Sequence, residues 1–128
     1  MLNKSGVTKT TLTAPKQILA NVELQSSVGC IVPQALGVEV AGSKIAKAGT
    51  PIHINLTNLQ TPAVKPVAGS AMNAVLLHDV DVTKGNANGT ALVFGFINVN
   101  RVDTDVASAI TTAQGVAGAS ALLTFLKV

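Results

Sequence analysis

The sequence has almost no aromatic residues and few charges. Its 128 residues include no Trp, no Tyr and three Phe, and only 12% are charged, whereas soluble domains average about 25%. Sugar-binding sites and single-stranded nucleic-acid sites rely on aromatic side chains that stack on their ligands. The shortage of such side chains argues against both kinds of site.

Cysteine and long apolar segments are also scarce. The single cysteine, Cys30, excludes an internal disulfide and fits assembly in a reducing cytoplasm. Although 48% of the residues are hydrophobic, the longest apolar runs, 74–77 and 91–97, fall far short of the ~20 residues of a membrane helix. The first residues lack the apolar run of a signal peptide. We therefore expect one domain, with no membrane partner.

Residues suited to catalysis or metal binding are few. The chain has six acidic residues and two histidines, His53 and His78, which is thin material for acid–base catalysis. It contains no nucleophile elbow and no phosphate-binding loop before a helix. The run 79–85 is similar to a calcium loop, but Lys84 stands where glycine is needed. We predict no enzyme activity, no catalytic, cofactor or metal residue, and a buried Cys30.

The positive charge is concentrated at the start of the chain. Residues 1–22 contain three lysines and no acidic residue, with apolar residues between them. We predict an extended N-terminal arm over residues 1–35 that reaches a partner; the alternative is a frayed, solvated terminus. Three dispersed lysines are too sparse for a nucleic-acid surface. The residues expected to contact the partner are Lys4, Val7, Lys9, Leu12 and Lys16.

Alternating apolar residues predict most of the remaining elements as strands. A hairpin is predicted over 37–47, and a strand over 52–56 with Ile52, Ile54 and Leu56 facing inward. A second hairpin is predicted from strands at 74–82 and 90–99, with a bulge or a close backbone approach at Gly95. Residues 17–32 fit either a strand or a short helix, and 57–73 are predicted as a loop.

One helix and a last strand complete the predicted domain, residues 36–128. Asp103 is a suitable N-cap for a helix over 104–114, and a strand follows at 121–126. The predicted fold is α+β and β-rich: a small single-domain β-sandwich or barrel-like sheet with one short helix and an extended N-terminal arm. Phe94, Phe96 and Phe125 are expected to form the aromatic centre of its core.

The order of segments over residues 44–128 resembles a known family. The resemblance is carried by Thr-Pro-Ile at 50–52, apolar strands at 74–77 and 90–94, and the segment 95–103 that enters the helix. In these respects the chain is similar to the head decoration proteins of tailed bacteriophages, the capsid-stabilising family typified by the small head protein of phage lambda. It departs from the family in its longer loop at 57–73 and its lack of Trp.

This resemblance implies a structural role. It implies a homotrimer that binds the major capsid protein on the outer surface of a phage capsid, partly through the N-terminal arm, and stabilises the head. The protein would be assembled in the host cytoplasm and reside in the virion, without a cofactor and without direct nucleic-acid or membrane contact. The alternatives are another phage structural module, such as a head fibre or adaptor, and a small ligand-binding domain around His53 or His78.

Overall fold

The chain forms two β-sheets and one α-helix. The computed structural model describes residues 17–21 and 25–127. Neither sheet closes on itself within this part of the chain, and the β-rich α+β class predicted from the sequence is confirmed. The strands are β1 (Ser26–Val32), β2 (Val38–Val40), β3 (Ser43–Ala46), β4 (Pro51–Ile52), β5 (Ala74–Leu76), β6 (Val80–Asp81), β7 (Ala87–Asn98) and β8 (Leu123–Leu126); the helix α1 is Thr104–Gln114.

The larger sheet is built around β7, its longest strand. Its order is β1-β7-β5-β4, and β8 also pairs with β7. All these pairs are antiparallel except β7 with β8, which is parallel. The smaller sheet has the order β2-β3-β6. Short 3-10 helices at Gln34–Leu36 and Val99–Arg101 precede β2 and α1 respectively.

The central strands of the larger sheet are buried on both faces. Leu76 and Ala91 face one hydrophobic cluster, cluster 1, which includes residues of the smaller sheet. Val75 and Leu92 face the opposite side, cluster 2, to which α1 contributes Ala113. A strand covered on both faces needs apolar residues at every position. This explains the unbroken apolar run at 74–77.

A β-bulge in β7 reverses the alternation of its side chains. Ser27 of β1 pairs with Leu92 and Ser26 pairs with Phe94, so Val93 is an extra residue with no counterpart on β1. One inserted residue shifts all that follows to the opposite face. As a result Leu92 and Ile97, five positions apart, both pack into cluster 2. The bulge lies at Val93, two residues before Gly95, where the sequence predicted a bulge or a close backbone approach.

Two of the predicted strands are shorter than expected. The strand predicted over 74–82 is divided, because β5 belongs to the larger sheet and β6 to the smaller. Between them the Asp79 carboxylate accepts a hydrogen bond from the Ala48 N–H at 2.7 Å, and the chain changes sheets. The strand predicted over 52–56 ends at Ile52.

The inward orientation predicted for Leu56 is wrong. Ile52 and Ile54 are buried, but the Leu56 side chain is 64% exposed. The reason is local: the Asn55 side chain accepts hydrogen bonds from the N–H and the hydroxyl of Thr57. An asparagine that bonds its own backbone two residues on forms a turn, and this turn ends the extended segment before Leu56 can reach the core.

The boundary predicted between arm and domain lies too late in the chain. Strand β1, within the predicted arm of residues 1–35, pairs along β7 and belongs to the larger sheet. Leu19 also bridges Ile97, and Ile18 and Leu19 are buried. The apolar character of these residues keeps them in the domain rather than in a separate arm. The predicted partner contacts Lys4, Val7, Lys9, Leu12 and Lys16 lie outside the described residues.

Helix α1 has the predicted bounds and buries one of its faces. Val106, Ile110 and Ala113 are buried, as the helical period requires. Asp103 occupies the N-cap position but makes no capping hydrogen bond through its side chain. Its carboxylate instead lies 3.2 Å from the Lys47 ammonium. This ion pair and the one to Asp105, at 3.1 Å, tie the start of the helix to the end of β3.

A candidate interaction surface

The residues best suited to chemistry do not form a common site. The His53 ring Nδ1 lies 2.7 Å from the Ala71 carbonyl oxygen, which fixes the ring against the loop. His78 is exposed in the connection between β5 and β6. Among the described residues, no group of three His, Cys, Asp or Glu side chains is arranged to hold a metal ion.

The calcium-like segment is a turn whose carboxylate is engaged locally. Asp81 Oδ1 accepts hydrogen bonds from the hydroxyl of Thr83 at 2.6 Å and from its N–H at 2.9 Å. These two bonds favour the ionised form and lower the pKa of Asp81. The Thr83 hydroxyl oxygen accepts from the Lys44 N–H at 2.8 Å, and its carbonyl accepts from the Gln34 amide. The segment therefore joins the smaller sheet to the 3-10 helix.

Cys30 is buried in cluster 1, as expected from its sequence surroundings. Burial raises the pKa of its thiol, because the thiolate would lose hydration there. A buried thiol that stays protonated is a poor nucleophile. The cysteine therefore serves packing in the described part of the molecule.

The most distinctive surface lies on β7 and β8. The register pairs Gly95 with Leu123 and Ile97 with Phe125, and these residues face cluster 2 or its margin. Partners side by side on neighbouring strands share a face, and successive residues alternate. The residues between them therefore lie on the opposite side of the sheet. We call this surface the outer face; it consists of Phe94, Phe96, Leu122, Thr124 and Leu126.

The outer face is apolar and largely uncovered. Leu122 is 58% exposed, Leu126 40% and Phe94 38%, while Phe96 is half-buried. None of its five residues carries a charge. The cause is the length of β7. Its 12 residues extend roughly 40 Å, whereas each strand of the smaller sheet has only two to four residues. The smaller sheet covers Gly89 and Ala91, and the second half of the strand runs beyond it.

The expected aromatic centre of the core is wrong. Phe94 and Phe96 do share a face, but Phe125 lies on the other side of the sheet at the margin of cluster 2. The core is instead formed by aliphatic residues, with Leu76, Leu92 and five isoleucines among the fully buried side chains. The outer face could not be recognised from the sequence, because the run at 121–126 shows no alternation of apolar and polar residues that separates its two sides.

A second exposed apolar region lies on the predicted loop, residues 57–73. Its exposed members are Val64 and Val67, and Leu56, which directly precedes the loop, is exposed as well. Asn73 holds the base of the loop: its amide donates to the Ile54 carbonyl at 2.9 Å, and its carbonyl oxygen accepts from the Ile54 N–H at 2.8 Å. The loop is thus anchored, but its apolar side chains adjoin a wide open cavity of about 430 Å³ rather than a continuous sheet surface.

Comparison with known proteins adds no relative. A scan against protein-family models finds no match, and a search of curated proteins also finds none. Within residues 17–21 and 25–127, no helix combines the length and the apolar character needed to cross a membrane.

Proposed function

We propose that this protein is a structural component of a phage virion. It binds the outer surface of the capsid as a homotrimer, contacts the major capsid protein and stabilises the head. One observation carries the proposal: the uncharged, exposed outer face of β7 and β8. The resemblance of segments 44–128 to head decoration proteins supports the same role.

Association with another molecule that covers the outer face is energetically favourable in water. Contiguous apolar patches on soluble proteins mark places where another molecule binds. Each square ångström of apolar surface removed from water contributes about 25 cal/mol, so covering Phe94, Leu122 and Leu126 favours association. In a ring of identical subunits, one such face can contact a different surface of the next copy. A protein that acts by covering and cross-linking a shell needs no catalytic group.

The proposed arm begins next to the outer face. The Asn98 N–H donates to the Ile18 carbonyl at 2.7 Å, and Asn98 pairs with Leu126 across β7 and β8. Ile18 therefore lies at the end of the sheet that carries the exposed apolar side chains. Contacts made by the face and by the arm can serve the same region of a shell.

The test compares two leucine variants. Leu126→Glu places a charge on the outer face, and Leu56→Glu places the same charge on an even more exposed leucine of the loop. We expect the wild type and Leu56→Glu to be trimeric by light scattering and to sediment with expanded capsids of the phage that encodes the chain. Leu126→Glu should lose one or both properties while it keeps the wild-type circular dichroism spectrum.

Two results contradict the proposal. A wild-type protein that stays monomeric at high concentration and does not sediment with capsids excludes the role. Equal capsid binding by Leu126→Glu and the wild type, with equal oligomeric state, shows that the outer face is not the interaction surface. Capsid thermal stability with and without bound protein then measures whether binding stabilises the head.

A further inference from the structure

Strand β1 leaves part of one edge of the larger sheet open. In the described part of the chain the sheet has the order β1-β7-β5-β4, so β1 has a neighbouring strand on one side only. On its other side the Ile31 carbonyl accepts a hydrogen bond from the Ala63 N–H at 2.9 Å. The main-chain groups of successive strand residues point alternately to the two sides. Those of Gly29 and Ser27 therefore point the same way as those of Ile31.

The pairing of β7 agrees with this direction. Thr90, the partner of Gly29, accepts a hydrogen bond from the Leu77 N–H at 3.0 Å through its carbonyl, so its main chain points toward β5 and away from β1. Gly29 and Thr90 are therefore a non-hydrogen-bonded pair of the antiparallel ladder. Among the described residues, no group bonds to the main chain of Ser27 or Gly29 from the other side. We call residues 26–30 the open edge.

The open edge lacks the features that usually prevent strands of different molecules from pairing. Sheet edges are protected by charged side chains, by proline or by a covering segment. Residues 25–32 contain no charged residue and no proline, and Ser27 and Gly29 are exposed. An added Cβ at Gly29 would meet no atom within 4 Å. No described side chain thus opposes the approach of another strand at this position.

The open edge is complementary to a second copy of itself. If two β1 strands pair in antiparallel about a two-fold axis at Val28, Ser27 of each copy lies opposite Gly29 of the other. Each of these two pairs then exchanges two hydrogen bonds, so that every open N–H and C=O of the four residues has a partner. The half-buried Val28 side chain packs against cluster 1 and lies opposite its own counterpart. Cross-strand pairs of β-branched residues add to the stability of such a contact.

The length of the open edge also favours β1 as its occupant. At one end Ala63 occupies the position beside Ile31, and at the other end β1 begins at Ser26. A longer strand of a foreign protein would meet Ala63. In the two-fold arrangement Ser26 of the second copy lies opposite Cys30, and its strand ends just before the occupied position. The two copies therefore pair over residues 26–30.

We propose that the open edge pairs with the open edge of a second copy, antiparallel and about a two-fold axis at Val28. This inference does not rest on the proposed capsid role or on the outer face. A two-fold contact pairs identical surfaces and does not build a three-fold ring, so in a trimeric protein it connects one trimer to another. Standard interfaces bury about 800 Å² per partner, and this short stretch of strand buries less. The contact is therefore weak and forms where copies are concentrated.

Disulfide trapping detects a weak contact and also reads its register. All variants are made in a Cys30→Ala background, so that each chain carries one thiol, and are oxidised with copper phenanthroline. Val28→Cys should form a covalent dimer rapidly, because facing residues of a non-hydrogen-bonded pair have Cα atoms about 4.5 Å apart, within the range of a disulfide. Ser27→Cys should form little dimer, since the two copies of residue 27 are offset along the strands and lie about 8 Å apart.

A mixture of two single variants tests the register more sharply. Ser27→Cys and Gly29→Cys should each form little dimer alone. Their mixture should form a heterodimer, identified by its mass, because residue 27 of one copy faces residue 29 of the other at about 5.5 Å. Random collision gives a different order of rates. Ser27 is exposed and Val28 is half-buried, so random collision would make Ser27→Cys react faster than Val28→Cys.

Two substitutions at Gly29 in the Val28→Cys protein test whether the main chain makes the contact. Proline removes the Gly29 N–H, which points to the open side, and an edge strand tolerates proline in this orientation. Two hydrogen bonds of the contact are lost, one from each copy, so dimer formation should slow at least about tenfold. Alanine keeps the N–H and meets no atom within 4 Å, so Gly29→Ala should leave the rate unchanged. Circular dichroism verifies that both variants are folded.

Three outcomes overturn the inference. Faster dimer formation by Ser27→Cys than by Val28→Cys contradicts the register. Equal rates for the folded Gly29→Pro and Gly29→Ala variants contradict main-chain pairing. Leu126→Glu, added to the Val28→Cys protein, should leave dimer formation unchanged, because it alters only the outer face. Loss of the dimer in this variant would assign the contact to the outer face instead of the open edge.

Discussion

Replacing Gly49 with alanine tests how closely the chain is packed where β3 leads into β4. Gly49 has φ +89°, and its N–H donates to the Leu76 carbonyl at 2.7 Å, which holds it against β5. An added Cβ would lie 2.6 Å from Val102 Cγ1 and 3.2 Å from Val106 Cγ1. Gly42 provides the matched control, because its φ is +87° and no atom lies within 4 Å of the added Cβ.

The comparison separates backbone strain from packing. A left-handed backbone costs an alanine about 1–2 kcal/mol, and the smaller entropy of the unfolded chain returns about 0.4–1 kcal/mol. Gly42→Ala should therefore lower the free energy of unfolding by about 1 kcal/mol. Gly49→Ala carries the same strain and, in addition, an overpacking cost of about 1–3 kcal/mol. We expect a total loss of about 2–4 kcal/mol at Gly49.

Urea unfolding of the two variants measures the difference. The free energy of unfolding follows from the midpoint and the slope, provided that the slope is unchanged. Val102→Ala in the Gly49→Ala background should recover part of the loss, because it removes the methyl groups that the new Cβ meets. Equal midpoints for Gly49→Ala and Gly42→Ala would refute the reasoning, since they would show that Val102 moves aside without cost.

Three further predictions concern other parts of the fold. Ala41 has φ +51° in the β2–β3 turn, so Ala41→Asn should raise the free energy of unfolding by about 0.5–1 kcal/mol. Ala68→Asn is the control and should not raise it, because only the glycine that follows Ala68 has a positive φ. Urea unfolding measures both variants. Cys30 should react with a thiol reagent in native protein only as fast as the sheet opens, and at once in denaturant. The Asp81 pKa is lowered in the folded state, so its stabilising contribution is present above the ordinary value of 3.8 and is lost as the pH falls through the lowered pKa. The free energy of unfolding of Asp81→Asn should therefore be lower than that of the wild type near neutral pH, and the two values should approach each other in acid.

Local signals in the sequence predicted the elements that depend on local interactions. The β2–β3 hairpin follows from alternation around a short turn, and α1 follows from the N-cap position of Asp103. The prediction of a second hairpin is correct in that β5 pairs with β7. The sequence could not show that the chain leaves the sheet after Leu76, because that break depends on the bond between Asp79 and Ala48, 31 positions apart.

The candidate interaction surface was less predictable than the fold. Its position depends on where the smaller sheet stops covering β7, which is a property of the packed molecule. Apolar residues in the run 121–126 look equally suited to the core, yet Leu123 is buried and Leu122 is exposed. Only the parallel register with β7 separates the two sides. The proposed arm contacts, from Lys4 to Lys16, remain a prediction.

The bulge at Val93 links the stability of the fold to the proposed interaction. Without the extra residue, strict alternation would place Phe94 and Phe96 on the same side as Leu92, in contact with cluster 2, and would direct Ile97 outward. With it, Ile97 is buried and Phe94 is exposed. Burying an Ile or a Phe side chain contributes about 1.5–3 kcal/mol, so the bulge keeps the contribution of Ile97 and leaves that of Phe94 to be gained when another molecule covers it. The strand therefore presents two of the chain's three Phe beside two exposed leucines, and this arrangement supports the proposal that a partner covers them.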